Sequence, residues 1–212
     1  TIPGKPRRGR HANRTPSSFP DFWKWPNLAK GFVPKQAGQL WVSDLTYLKL
    51  VNGDFVYLSL ITDAYSRKII GHHLSSSLNT TGPLRALTMA LKDRINRSTK
   101  LIHHSDRGIQ YTSAAYLGIL DEEGIKVSMT KGGMPTENSI AERVNGILKH
   151  EFDLKKEFND KAEAELAVAS AIFRYNFIRP HSSCDDLTPA KAHFRKGILR
   201  KRWYRKSSGK PR

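Results

Sequence analysis

The sequence has 212 residues, a formal net charge of +17, one cysteine and an apolar share of 38%. That length suits one domain of ordinary size with flanking segments. The lone Cys184 excludes an internal disulfide and any site built on two thiolates, and no apolar run approaches the ~18–20 residues that cross a bilayer. The charge is segregated: residues 1–36 hold eight Lys/Arg against one Asp, residues 191–212 hold ten against no acid, and residues 37–190 balance. Basic arms of this kind release counterions when they meet a polyanion. Neither arm has an amphipathic apolar face, so no membrane partner is expected. A basic, Pro-rich segment rather than an apolar leader opens the sequence, and a cytoplasmic protein is expected.

Six of the eleven prolines lie within residues 1–36, which predicts an extended, non-helical N-terminal arm. Inside it, "FPDFWKWPN" at 19–27 interleaves aromatics with Lys24. Those rings suit stacking on nucleic-acid bases or pinning the arm to the core. Three β-rich runs follow at 41–50, 54–64 and 67–74, with Asn52-Gly53 as a hairpin turn between the first two. A helix is predicted over 80–95, capped by Thr80 or Thr81, with Leu84, Leu87, Leu91 and Ile95 on one face. A strand at 100–105, a helix over 112–123 closed by Gly124 and a strand at 125–130 come next. The loop 131–138, with a Gly132-Gly133 hinge, leads to a helix over 139–153. A long helix over 160–178 ends before Pro180, and a short one begins in 188–194. This order predicts an α/β fold with a mixed five-stranded sheet flanked by helices, the ribonuclease-H-like arrangement. The expected division is a basic arm at 1–36, a catalytic core at 37–190 and a basic tail at 191–212.

Three carboxylates stand out. Asp44 sits in "WVSDLTYL", where a charge among Val42, Leu45 and Leu48 is costly unless paired, protonated or metal-bound. Asp106 lies just past the fourth strand, and in the expected topology strands one and four are neighbours, so the two acids converge. Two anions in contact raise one pKa unless a cation lies between them, and hard divalent cations suit oxygen ligands. Glu142 follows Asp106 after 35 intervening residues and falls in the first turn of its helix, off the face formed by Ile140, Val144, Ile147 and Leu148. A competing reading makes Ser139-x-x-Glu142 a capping box. For Asp44 and Asp106 the competing readings are a satisfied polar residue and an Asp-Arg-Gly turn.

With "WVSDLTY", "DAYSRKIIG", "HHSDRGIQY", "ENSIAERVNGILKHE" and "YNFIRPHSSCDDLTPA" in order over residues 41 to about 195, the sequence resembles transposases of the insertion-sequence-three family, relatives of retroviral integrases. The resemblance implies a DDE triad of Asp44, Asp106 and Glu142 that is both catalytic and metal-binding. It also implies cleavage and joining of DNA at element ends, through a circular intermediate. Lys149, seven beyond the Glu, is a further family feature; positions 142, 145/146 and 149 share a helix face, so Asn145 and Lys149 would flank the site. Two Mg²⁺ ions about 3.5–4 Å apart are expected, bridged by Asp44, and Mn²⁺ suits the same oxygens. Expected DNA contacts are Lys131, Asn138, Arg143, Asn145 and Lys149, with Arg200, Lys201, Arg202, Arg205 and Lys206 on the tail. His103 and His104 are read as structural neighbours of Asp106, not zinc ligands. Expected partners are DNA ends and target, further copies of the chain, and an upstream-frame helix-turn-helix protein or fusion, in a nucleoid-associated setting. The rival readings are a nuclease of the same fold without strand transfer and a catalytically inactive DNA-binding remnant.

Overall fold

The computed structural model describes residues 25–94, 97–131 and 135–202. β1 (Leu40–Lys49), β2 (Phe55–Asp63) and β3 (Ile69–Ser75) form an antiparallel meander. The first turn is made by Asn52, whose Oδ1 accepts from Asp54 N, and by Gly53, at a φ of +91° that favours glycine. β4 (Ile102–Ser105) runs parallel to β1 and β5 (Lys126–Met129) parallel to β4, giving the order β3-β2-β1-β4-β5. Strands one and four are therefore neighbours, as the sequence predicts.

Alternation along the strands sends apolar side chains to both faces, and helices cover each. On one face α1 (Thr81–Lys92) and α2 (Ala114–Glu122) bury Leu87, Leu91, Tyr116 and Leu120 against Trp41, Ile61 and Ile70. α1 sits so close to β3 that a Cβ on Gly71 would stand 2.1 Å from Ala86 O. On the other face α3 (Ser139–Glu151) and α4 (Lys161–Phe173) bury Val144, Ile147, Leu148 and Val168 on Leu48, Leu58 and Leu60. Each such aliphatic side chain contributes about 1.5–3 kcal/mol on burial. No helix among the described residues is long and apolar enough to cross a membrane.

Some expected boundaries move for identifiable reasons. Thr80 does not cap α1 with its side chain; Asn79 Oδ1 accepts from Thr81 N instead, at 3.1 Å. Ile95 of the predicted apolar face lies outside the described residues. Ser113 caps α2, whose end is closed by Gly124 at φ +62°. α4 ends at Phe173, and Arg174–Ile178 widens into a π-turn. There Asn176 points inward, accepting from Ile69 N and donating to Ile69 O, both at 2.9 Å, beside the register shift of β2 and β3.

Of the N-terminal aromatic stretch, Trp25 packs on the core, and Pro26 O accepts from Leu28 N and Met129 N; Phe19, Phe22, Trp23 and Lys24 lie outside the described residues. α5 (Pro189–Ala192), capped by Thr188, spans the position expected to divide core from tail, and His193 just beyond it is buried.

Candidate active site

The β1–β4 ladder ends at the pair Val42–His104. Two residues further along each strand stand Asp44 and Asp106, so parallel register carries both acids to the same end of the sheet. The turn after β4 holds Asp106: Gly108 N donates to its Oδ1 at 3.0 Å, and Arg107 is anchored away from it on Thr130 O and Trp25 O.

Beyond Val42, β4 no longer flanks β1, and α3 packs against it there. Asn145 Nδ2 donates to Asp44 Oδ2 at 2.6 Å. Glu142 lies one turn back along α3, where residues three apart share a face, and it is exposed. The capping box is not formed: α3 starts from Asn138, whose side chain makes no cap bond. Burial pushes the Asp44 pKa up to about 6; the Leu45 N–H and the Asn145 amide oppose the rise, and Asp106 and Glu142 add to it through their negative charge. Among the described residues, however, no three His, Cys, Asp or Glu side chains form a ready-made ligand cage. The donor set is open, and it is all oxygen. It fits a hard cation that keeps several waters and takes phosphate oxygens, rather than a closed nitrogen–sulfur zinc site.

Lys149 lies further along the same helix, its Nζ 4.7 Å from the centroid of the Tyr47 ring. Burial lowers its pKa, while Asp44 opposes the drop. Tyr47, three residues after Asp44 and given no role by the sequence reading, is 57% exposed, and its ring meets Phe55 edge-on at 5.2 Å.

The layer beneath is a hydrogen-bonded floor. His103 Nε2 lies 2.7 Å from Ser43 Oγ and 2.9 Å from Tyr116 OH. Burial, followed by the neighbouring His104, depresses the His103 pKa to about 3. His104 joins Ser128 Oγ and Glu137 O. Neither histidine is placed as a zinc ligand.

Three residues expected to contact DNA have partners within the protein. Asn138 is buried and its amide donates to Ser43 O at 2.9 Å, so it braces β1. Asn145 is buried and committed to Asp44. Arg202 is engaged by Asp185, Nε to Oδ1 at 2.7 Å. Lys131, Arg143, Arg200 and Lys201 are exposed. Arg205 and Lys206, like Gly132 and Gly133, lie outside the described residues.

Comparison with known proteins agrees with this architecture. The Integrase core domain family matches residues 34–135, and a second description of that domain matches 123–189. The transposase for insertion sequence element IS629 of Shigella sonnei is 38% identical over 161 residues, 76% of this chain and 53% of the relative. A putative transposase for IS986/IS6110 of Mycobacterium tuberculosis (strain CDC 1551 / Oshkosh) is 34% identical over 196 residues, 90% of this chain and 68% of the relative. The chain thus spans about half to two thirds of the length of these curated relatives. Among solved structures, the HTLV-2 integrase catalytic core domain in complex with magnesium (dimeric form) superposes with a TM-score of 0.58 at 18% identity, covering 76% of this chain and 98% of that one. At that identity the likeness shows the fold, which is ribonuclease-H-like. The chain belongs to the integrase-core transposases of insertion sequences, the insertion-sequence-three family.

Proposed function

We propose that this chain catalyses metal-dependent cleavage of DNA strands and their joining to target DNA, moving an insertion sequence, with Asp44, Asp106 and Glu142 as the catalytic carboxylates. The observation that carries the reading is the β1–β4 register, which takes Asp44 and Asp106 to one sheet end, together with α3 bonded to Asp44 through Asn145. Mg²⁺, as a pair of ions or with Mn²⁺ in its place, would be held by the three carboxylates and would activate a water or 3′-hydroxyl and neutralise the leaving oxygen. The chain's own part is positioning. Asn145 and the Leu45 N–H orient Asp44, and the Gly108 N–H fixes Asp106. Lys149, held over Tyr47, supplies a cation beside the acids for a DNA phosphate.

The neutral core would do the chemistry while the arms at 1–36 and 191–212 grip phosphates without reading sequence. Bringing two element ends together requires more than one copy, and an upstream helix-turn-helix protein or fused domain would recognise those ends.

The test is a strand-transfer assay with a duplex bearing a pre-cleaved 3′ end and Mg²⁺. Wild type gives joined product. D44N, D106N and E142Q each lose cleavage and joining by roughly a thousandfold or more, as expected when a charge-stabilising group is removed, yet still bind DNA in EDTA. Hydrolysis without joining would favour the nuclease, and undiminished activity of D106N would favour a DNA-binding remnant.

A further inference from the structure

A cavity of about 360 Å³ lies beside α3, between that helix and the segment 179–186. Its charged lining is Arg67, Arg143, Arg179 and Lys201 against a single acid, Asp186. Arg179 is held from outside by Glu151, through bonds of 2.6 and 2.8 Å. Arg67 is anchored on Ala64 O and Ser183 Oγ, at a left-handed φ of +65°. Arg143 and Lys201 are exposed and reach the cavity from sequence positions 58 residues apart. The start of α3, a helix of 13 residues, adds the partial positive charge of a helix N-terminus.

His181 forms part of the wall. It lines the cavity and is only 8% exposed. Its Nδ1 accepts from Ser183 N, which puts the ring proton on Nε2. That Nε2 is buried and has no hydrogen-bond partner among the described residues. The cavity therefore gathers four positive side chains from separate segments, with Arg67 and Arg179 held in place by protein partners and Arg143 and Lys201 exposed. A phosphate, with acceptor oxygens facing several ways and a negative charge, answers that arrangement, and arginine forks match its geometry.

We propose that this cavity is a phosphate-binding site that holds the backbone of the DNA strand next to the catalytic carboxylates. Arg143 is adjacent to Glu142, so a strand engaged at the carboxylates would cross the first turn of α3 and set its next accessible phosphate here. That the phosphate is DNA's rests on the function proposed above; binding of phosphate itself does not.

The test uses the purified full chain without divalent metal, comparing wild type with R143Q/K201Q; both side chains are exposed, and either single variant serves if the double does not fold. Inorganic phosphate should raise the unfolding temperature of wild type above that in chloride of equal ionic strength, and the double variant should lose that increment. A general salting effect would raise both proteins alike and would overturn the site. On duplex DNA in EDTA, the log–log salt slope should fall by about 0.9 in the double variant, the value for one shared phosphate. A fall near 1.8 would mean two separate phosphates and would refute a common cavity. Loss of the phosphate increment with an unchanged DNA slope would assign the cavity to a free phosphate and overturn the DNA claim. Neither readout requires catalysis, so D106N should behave as wild type in both, and failure of the catalytic reading would leave these results intact.

Discussion

Asp44→Asn should stabilise the metal-free chain at neutral pH. The Asp44 carboxyl has a pKa of about 6 against an ordinary 3.8, chiefly because burial penalises its charge. Between those values the native state binds the proton and the unfolded chain does not, so this group's contribution to stability is full below pH 3.8 and is lost as pH rises to about 6. At about 1.4 kcal/mol per pKa unit, the loss is at most about 3 kcal/mol. An asparagine mimics the protonated carboxyl: its Oδ1 still accepts from Leu45 N, and its Nδ2, in place of Oδ2, donates to Asn145 Oδ1 once that amide turns over. It should therefore be nearly neutral at pH 4 and stabilising by up to about 3 kcal/mol at pH 7.5, roughly 6–12 °C in Tm for a chain of this size. His103 and His181, with pKa values depressed to about 3 and about 4, work in the opposite direction, since they lose native stability as pH falls. The quantity to read is therefore the difference between variant and wild type, from urea unfolding in EDTA at both pH values. If D44N is no more stable than wild type at pH 7.5, desolvation of Asp44 is not the source of the site's readiness for a cation.

Other outcomes follow from the same geometry. Asn145→Ala removes a bond to a charged oxygen, which is typically about 1.5–3 kcal/mol, so it should push the Asp44 pKa higher and weaken Mn²⁺ binding in a calorimetric titration. Gly108→Ala would set a Cβ 3.0 Å from Asp106 Oδ1; strand transfer should drop well before the Tm does. Gly71→Ala meets the α1 backbone and should cost about 3 kcal/mol or prevent folding, read by denaturant unfolding. Asn176→Ala strips both bonds from Ile69 and should cost about 2–4 kcal/mol by the same measurement.

The meander, the parallel strands and the three acids were legible because alternation, the Asn-Gly turn and stranded carboxylates are local signals. Less legible were the polar side chains that serve a distant backbone. Asn138, in the turn before α3, and Asn145, expected beside the site, both go to the bare stretch of β1, one on Ser43 O and the other on Asp44. Asn176 ends α4 early for the same reason, since its partner Ile69 is 107 residues away. Arg202, expected on the DNA-contacting tail, pairs with Asp185 from 17 residues away. The basic cavity beside α3 could not be read at all, because its charges come from four separate segments that only folding brings together.

Anomalous diffraction from crystals soaked in Mn²⁺ tests the central claim most directly. The account predicts manganese bound between Asp44 and Asp106, with Glu142 turned towards the same density. Manganese bound elsewhere, or seated there with Glu142 turned away, would contradict it.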